Sequence, residues 1–316
     1  MRLKADLTLL LVAVIWGSAF VAQRVAGQLG SVYLFNGTRY LLAALIVLPL
    51  AIRTLRTKNA ERHIPLEQFK WMCIAGFVLF AGSALQQVGI LYTTAGNAGF
   101  ITSLYVVLVP IILFLVWREK LHWIAIVAVA LAAAGTFLLS TGGRFEVRKG
   151  DVIELGGALF WTLHVIVLGK YASKFEPLTF SVGQLIVSGS LNFLLGIFVE
   201  PRITFTLPLV FAIVYTAFFA LGLCYTLQIW AQRHTPPADA ALILSLESVF
   251  SVLSGWLLLN EKLAPIQVFG CALIFAAVLL SQFKDWNLQG TPRSPLSSMM
   301  NSERGTIDDD HLVEGR

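Results

Sequence analysis

Ten long stretches of apolar residues constrain the fold of this chain more than any other feature. The hydrocarbon core of a bilayer is roughly 30 Å thick, and an α-helix needs about 20 residues to cross it. Helix is the state that fits, since the strands of a membrane β-barrel alternate polar and apolar residues over about 10 positions. We therefore predict an all-α integral membrane protein with ten transmembrane helices. The stretches are Leu7–Gln23, Leu34–Ile52, Phe69–Leu91, Ala95–Trp117, Leu121–Ser140, Val152–Gly169, Leu178–Val199, Leu207–Ala231, Asp239–Leu259 and Leu263–Phe283.

Composition and charge agree with a membrane protein. Hydrophobic residues make up 57% of the sequence and charged residues 13%, against roughly 45–50% and about 25% in soluble domains. Under ten spans, Lys and Arg divide 16 to 7 in favour of the side that holds both termini. This bias predicts cytoplasmic termini in a multi-pass protein of the plasma membrane, taken to be a bacterial inner membrane. The net charge of +5 then reflects cytoplasmic loops and not nucleic-acid binding.

The C-terminal segment differs in character from the rest of the chain. From Lys284 onward the sequence is polar, with several prolines and serines and the acidic run Asp308–Asp310. Such a segment buries too little apolar surface to fold on its own. We predict that residues 284–316 form a disordered cytoplasmic tail.

The chain contains an internal repeat. A shift of 142 residues aligns Tyr92–Ser140 with His234–Gln282 without a gap, and 15 of the 49 aligned pairs are identical, including the Glu-Lys-Leu that begins at Glu119 and at Glu261. A shift of 145 residues aligns Trp16 with Trp161. The sequence thus predicts two units of five helices each, over residues 1–143 and 150–283.

A unit with an odd number of helices has a consequence for transport. The second copy must enter the membrane from the opposite face, so the halves are related by a pseudo-two-fold axis in the membrane plane. Inverted repeats of this kind recur in secondary transporters, whose substrate site lies near the bilayer midplane between the halves. The alternative is a duplication that serves helix packing alone.

Several sequence motifs resemble those of one family of membrane proteins. The opening segment Ile15–Ala22, with its Trp-Gly-Ser, is similar to the first-helix signature of the EamA family in the drug/metabolite transporter superfamily. The resemblance covers about residues 5–283 and implies ten helices with cytoplasmic termini, moving small organic solutes such as amino acids. The family commonly has a proline after Leu246-Glu247, where this chain has Ser248, so the helix-bending role of that proline is not expected here. The other matching segments are Arg39–Ala44, Tyr92–Gly99, Val109-Pro110 with Glu119–Leu121, and Leu244–Glu247 with Glu261–Leu263.

Polar side chains within the apolar stretches are the candidates for the transport site. Glu247 is the one acid predicted to lie deep in a span, as a proton carrier, a partner for a cationic group, or a protonated side chain bonded to a neighbouring helix. Arg39 is a candidate anion contact, or with Arg24 a side chain that snorkels to the interface. His164 either titrates in the cavity or is a satisfied core histidine. The remaining candidates for the cavity wall are Trp16, Ser18, Gln86, Gln87, Asn97, Tyr105, Trp161, Tyr225 and Gln228.

The pattern of residues argues against several other kinds of site. The sequence has no GxxxxGK[ST], HExxH, CxxC or GxSxG pattern, and its three cysteines and five histidines are scattered. We therefore expect no cofactor, metal or nucleic acid, and no intramembrane enzyme. Small residues at four-residue spacing, at Ala130–Ala134 and Ala272–Ala276, predict close helix packing or the contact of a homodimer.

Taken together, the sequence predicts a secondary transporter that exports small metabolites such as amino acids across the plasma membrane by alternating access. A proton gradient or facilitated diffusion would drive it within the lipid bilayer. The alternatives are a nucleotide-sugar or sugar-phosphate exchanger, which the scarcity of basic residues in the spans argues against, and a non-transporting receptor or scaffold.

Overall fold

Every regular element in the described part of the chain is helical. The computed structural model describes residues 1–28, 31–57, 64–92, 98, 101–119, 122–141, 148–200, 204–259 and 264–289. The helices are α1 (Arg2–Gln28), α2 (Tyr33–Thr57), α3 (Leu66–Gly89), α4 (Tyr105–Trp117), α5 (Trp123–Thr141), α6 (Lys149–Lys170), α7 (Pro177–Val199), α8 (Leu207–Ala231), α9 (Pro237–Leu244), α10 (Glu247–Leu259) and α11 (Pro265–Gln289), with a 3₁₀ turn at Ala172–Lys174.

The helices form an integral membrane protein. Within the described residues, seven helical segments are long and apolar enough to cross a bilayer: α1, α2, α3, α6, α7, α8, and α9 with α10 as the segment Pro237–Leu257. Three further apolar helices are shorter, at Ile101–Trp117, Trp123–Leu139 and Pro265–Ser281. Large apolar side chains such as Phe198 and Phe211 cover the outer surface, as contact with lipid requires.

Several helices extend beyond the predicted apolar stretches, and two of the extensions matter most. α1 begins at Arg2 and not at Leu7, because Arg2 pairs with Asp6 one turn later and with Asp239 of α9. α11 continues to Gln289, so residues 284–289, predicted as the start of a disordered tail, are helical. Residues 290–316 of that tail lie outside the described residues.

The ninth predicted stretch is interrupted in its middle. Ser245 and Ser248 donate hydroxyl hydrogen bonds to the carbonyls of Leu242 and Ser245, both at 2.7 Å. The backbone there forms i→i+3 bonds, with the N–H of Leu246 bonded to Ile243 and that of Ser248 to Ser245. Serine hydroxyls compete for helical carbonyls and bend helices, so the chain separates α9 from α10 without a proline at 248.

Glycines set the closest contacts between helices. A Cβ at Gly37 of α2 would lie 2.6 Å from the backbone of Phe193 in α7, and one at Gly189 would lie 2.9 Å from the backbone nitrogen of Leu41. Because these contacts run in opposite directions along the two helices, α2 and α7 are antiparallel. α5 and α11 meet in the same way through Gly135 and Gly270, where a Cβ would lie 2.6–2.7 Å from the facing carbonyl.

The small residues singled out in the sequence are not the ones that join α5 to α11. Ala130, Ala134, Ala272 and Ala276 are exposed on the outer surface, whereas the contact uses the buried Gly135 and Gly270. The prediction that these alanines serve close helix packing within the chain is therefore wrong for the described residues. A homodimer through this face stays a prediction.

The remaining contacts surround a central space. α3 packs against α6, α1 packs against α8 and α10, and α4 packs against α6 and α9. α2 packs against the middle of α8, where residues Thr216–Leu223 form a π-helical segment. These helices leave a cavity at the centre of the bundle.

Candidate substrate-binding cavity

The central cavity has about 630 Å³ of empty space, part of which is open to the surroundings of the protein. Its wall is formed by α1, α2, α3, α6, α8, α9, the start of α4 and the start of α10. Nine of the twelve residues proposed from the sequence lie along it: Trp16, Arg39, Gln86, Tyr105, Trp161, His164, Tyr225, Gln228 and Glu247.

Glu247 and Tyr105 form a direct contact within this wall. The hydroxyl of Tyr105 donates a hydrogen bond of 2.9 Å to Oε1 of Glu247, and the glutamate is 6% exposed. The two residues are 142 positions apart, which is the shift that relates the two halves of the sequence. A buried carboxyl held by one neutral donor can carry a proton or a cationic group of a ligand.

Arg39 lies on the same cavity and is 3% exposed. Its guanidinium donates to Asn36 Oδ1 at 3.1 Å and to Gln23 Oε1 at 3.2 Å, and lies over the rings of Phe35 and Tyr40. Among the described residues, no carboxylate is within ion-pair distance of it. The side chain therefore does not snorkel, and its charge is available to an anionic ligand.

Aromatic rings make a continuous surface on one side of the cavity. The ring centroids of Trp16 and Tyr225 are 5.4 Å apart, those of Tyr225 and His164 are 5.5 Å apart, and those of His164 and Trp161 are 6.2 Å apart. Nε2 of His164 lies 3.0 Å from Oε1 of Gln184, so one ring nitrogen is already occupied. This surface gives a ligand an apolar contact with a few fixed polar positions.

Two of the predicted residues lie away from the cavity. The hydroxyl of Ser18 contacts Tyr215 Oη at 2.6 Å and the carbonyl of Ile15 at 2.8 Å. Gln87 is buried against α1, where its amide donates to the carbonyl of Gln23 at 3.5 Å. Asn97 lies outside the described residues, and nothing is described of the side chain of Arg24.

Sequence reasoning missed a fully buried acid beside the cavity. Glu154 of α6 is 0% exposed, whereas the prediction that Glu247 is the one acid deep in a span concerns depth in the bilayer and stays a prediction. The hydroxyl of Thr102 donates to Oε2 of Glu154 at 3.3 Å and accepts from the amide of Gln86 at 3.1 Å. Glu154 is near the beginning of its apolar stretch, which made it look interfacial; its burial comes from the contact of α6 with Gly89 of α3.

Three residues of the cavity wall with hydrogen-bonding side chains were also missed. Gln23, Tyr40 and Thr102 line the cavity. Gln23 is a polar residue at the end of the first apolar stretch, and a polar residue there gives no sequence signal that separates a cavity position from an interfacial one.

The sequence profile of the EamA-like transporter family matches residues 3–141 and, a second time, residues 148–283. The chain belongs to the EamA-like transporter family. Members of this family are transporters, so the chain is a multi-pass membrane transporter and not an enzyme.

Individual relatives agree with this membership of the EamA-like transporter family. An uncharacterized transporter of Archaeoglobus fulgidus is 36% identical over 279 residues, which span 88% of this chain and 86% of that protein. The uncharacterized transporter YvbV of Bacillus subtilis is 22% identical over 90% of this chain and 93% of its own length. The WAT1-related protein At3g02690 of Arabidopsis thaliana is 22% identical over 86% of this chain and 68% of its own length.

The fold of this EamA-like protein also matches a solved structure. One crystal structure is similar with a TM-score of 0.73 at 18% identity, covering 89% of this chain and 99% of the other. At that identity the likeness concerns the fold alone. It agrees with the helical fold described above.

Proposed function

We propose that this chain is a secondary transporter that exports small carboxylate-bearing metabolites, such as amino acids, across the plasma membrane. The observation that carries the proposal is Arg39, a buried cation on the wall of the central cavity, without a carboxylate partner among the described residues. A carboxylate of the substrate would supply the missing charge in a geometry that guanidinium favours.

Glu247 complements Arg39 on the same cavity. An amino acid carries an ammonium group as well as a carboxylate, and Glu247 offers the opposite charge when ionised. Because one carboxyl group holds either a proton or the ammonium group, exchange of the two couples outward movement of substrate to inward movement of protons. The hydrogen bond from Tyr105 keeps the carboxyl group in place during the exchange.

Alternating access follows from two five-helix halves. The family profile matches the chain twice, which supports two units over residues 1–143 and 150–283. In this arrangement the three shorter apolar helices also cross the bilayer, giving ten spans with both termini in the cytoplasm. The packing of α3 on α6 has its counterpart in that of α8 on α1, as an inverted repeat requires.

The test is counterflow of labelled amino acids in proteoliposomes that contain the purified chain. Loss of a charge-assisted hydrogen bond costs about 1.5–3 kcal/mol, so Arg39→Gln should raise KM for carboxylate substrates by about 10- to 100-fold. The control is Arg53→Gln, at an exposed position of the same helix, which should leave KM unchanged.

Other outcomes identify the alternatives. Counterflow of sugar phosphates without counterflow of amino acids would favour the exchanger. In the described wall of the cavity Arg39 is the one arginine or lysine, which is little for a phosphate. Substrate binding without any flux would favour a receptor.

A further inference from the structure

We infer that Trp161 and Gln228 form a subsite for an uncharged hydrogen-bonding group of the substrate, whereas the polar groups of their counterparts in the other half, Trp16 and Gln86, are bonded within the protein. This inference rests on the proposed function and specifies its substrate. It starts from a difference between the two halves. Trp16 corresponds to Trp161 at a shift of 145 residues and Gln86 to Gln228 at a shift of 142, and all four side chains line the cavity.

In each pair, one side chain forms a hydrogen bond to another residue of the protein. Nε1 of Trp16 donates to the carbonyl of Ala220 at 2.7 Å. Ala220 is in the π-helical segment of α8, and such segments often occur at functional sites. The amide of Gln86 donates to the hydroxyl of Thr102 at 3.1 Å, and that hydroxyl donates onward to Glu154.

The polar atoms of the other side chain in each pair have no hydrogen-bond partner among the described residues. Nε1 of Trp161, and both Nε2 and Oε1 of Gln228, are buried and have no hydrogen-bond partner among the described residues. Gln228 is 0% exposed. Buried polar groups are nearly always paired, so three unpaired atoms on the wall of one cavity point to a ligand that pairs with them.

The sequence explains why Gln228 has no hydrogen-bond partner equivalent to that of Gln86. The hydroxyl that holds Gln86 belongs to Thr102, and the position 142 residues later is Leu244. Leu244 also lines the cavity, but its side chain has no polar atom. The repeated glutamine is thus fixed in one half of the molecule and free to bind in the other.

The chemistry of the free atoms defines the group they would take. Trp161 offers a donor, and Gln228 offers a donor and an acceptor. Neither is charged, so a charged group would lose its hydration without gaining a counter-charge. The matching group is an uncharged one that both donates and accepts, namely a hydroxyl or a carboxamide. With Arg39 on the carboxylate, the substrate class becomes small carboxylates that carry a hydroxyl or carboxamide, in preference to aliphatic ones.

Competition against labelled substrate in proteoliposomes tests this preference. Asparagine and leucine are close in shape, as are threonine and valine, and each pair differs by the polar group. The polar member of each pair should compete at least about tenfold better with the wild-type chain. Trp161→Phe and Gln228→Met keep the bulk of the side chain, and each should reduce the preference several-fold.

Matched controls separate a binding role from a packing role. Trp16→Phe and Gln86→Met make the same chemical changes at the counterpart positions, and they should lower thermal stability while they leave the preference intact. If the wild-type chain carries these solutes with equal affinity, or if all four variants change the preference alike, the inference is overturned while the proposed function stands. If no carboxylate solute is carried and Arg39→Gln has no effect, the proposed function fails and the inference fails with it.

Discussion

The carboxyl group of Glu247 and the hydroxyl group of Tyr105 are both buried in the cavity, where they are joined by one hydrogen bond of 2.9 Å. Tyr105 is uncharged, and none of the described residues forms an ion pair with the carboxyl group of Glu247. A proton or a substrate ammonium group can provide the positive charge. In the proposed mechanism, Glu247 is therefore the residue on which proton coupling depends.

Replacement of Glu247 tests the coupling directly. Glu247→Gln keeps the shape of the side chain and removes its ability to ionise, so flux driven by an imposed pH gradient should disappear. Counterflow without a gradient should persist at a reduced rate. The measurement is uptake into proteoliposomes with and without the gradient. Glu67→Gln, at an exposed acid in the first turn of α3, serves as the control, and a retained pH response in Glu247→Gln would contradict the role.

For single residues, the sequence indicates which polar side chains are candidates for the site better than it indicates what those side chains contact. Glu247 and Trp161 were found because they interrupt apolar stretches or recur at a fixed shift. Ser18 satisfied the same criteria and yet lies on the opposite side of α1, against Tyr215. Glu154 was missed, because the burial of a side chain near the end of a helix depends on which neighbouring helix packs over it.

At the scale of helices, the close crossing of α2 and α7 requires a glycine at position 37, because there is no room for a side chain there. A Cβ at Gly37 would lie 2.6 Å from the backbone nitrogen and Cα of Phe193, and backbone atoms have no rotamer by which to move away. The two helices would have to separate, and the loss of their close packing would weaken the contact along its whole length.

Gly37→Ala should therefore destabilise the protein by about 1–3 kcal/mol, the usual cost of overpacking. The measurement is the thermal unfolding midpoint in detergent. Gly156→Ala is the matched control, since a Cβ there would meet only Leu85 at 3.4 Å, an ordinary contact. Equal midpoints for the two variants would show that the crossing is not close-packed in solution.

The sequence predicted helices from length and hydropathy, and it failed where side chains alter the backbone. The break between α9 and α10 comes from two serine hydroxyls, and nothing in an apolar window marks it. The π-helical segment Thr216–Leu223 was likewise not predicted, because its sequence is as apolar as that of its neighbours. The extension of α1 to Arg2 depends on Asp239, far away in the chain.

At the scale of the whole molecule, one polar cluster joins the two halves at the end where α1 begins. Arg2 contacts Asp239 at 2.7 Å and Asp6 at 3.2 Å, and the hydroxyl of Thr235 donates to Asp6 at 2.7 Å. Both aspartates are largely buried. The contacts hold α1 of one half against the start of α9 in the other.

Asp239→Asn should weaken this link and favour opening of the molecule at that end. Access is measured with Phe20→Cys, at a cavity position, in a background of Cys73→Ser, Cys224→Ser and Cys271→Ser. An impermeant maleimide applied from the side where α1 begins should label the Asp239→Asn protein several-fold faster. Glu67→Gln should have no effect, and unchanged labelling in Asp239→Asn would show that the cluster does not close that end.

The contact between Tyr105 and Glu247 has one more consequence for the molecule as a whole. Under the proposed exchange of conformations between the halves, each contact is replaced by its counterpart, but a contact between two counterparts is replaced by itself. The hydrogen bond from Tyr105 to Glu247 is thus present in both the outward-open and the inward-open conformation. Under the proposed coupling, Glu247 then keeps this bond whichever face of the membrane the cavity opens to, and the two gradients decide the direction of travel.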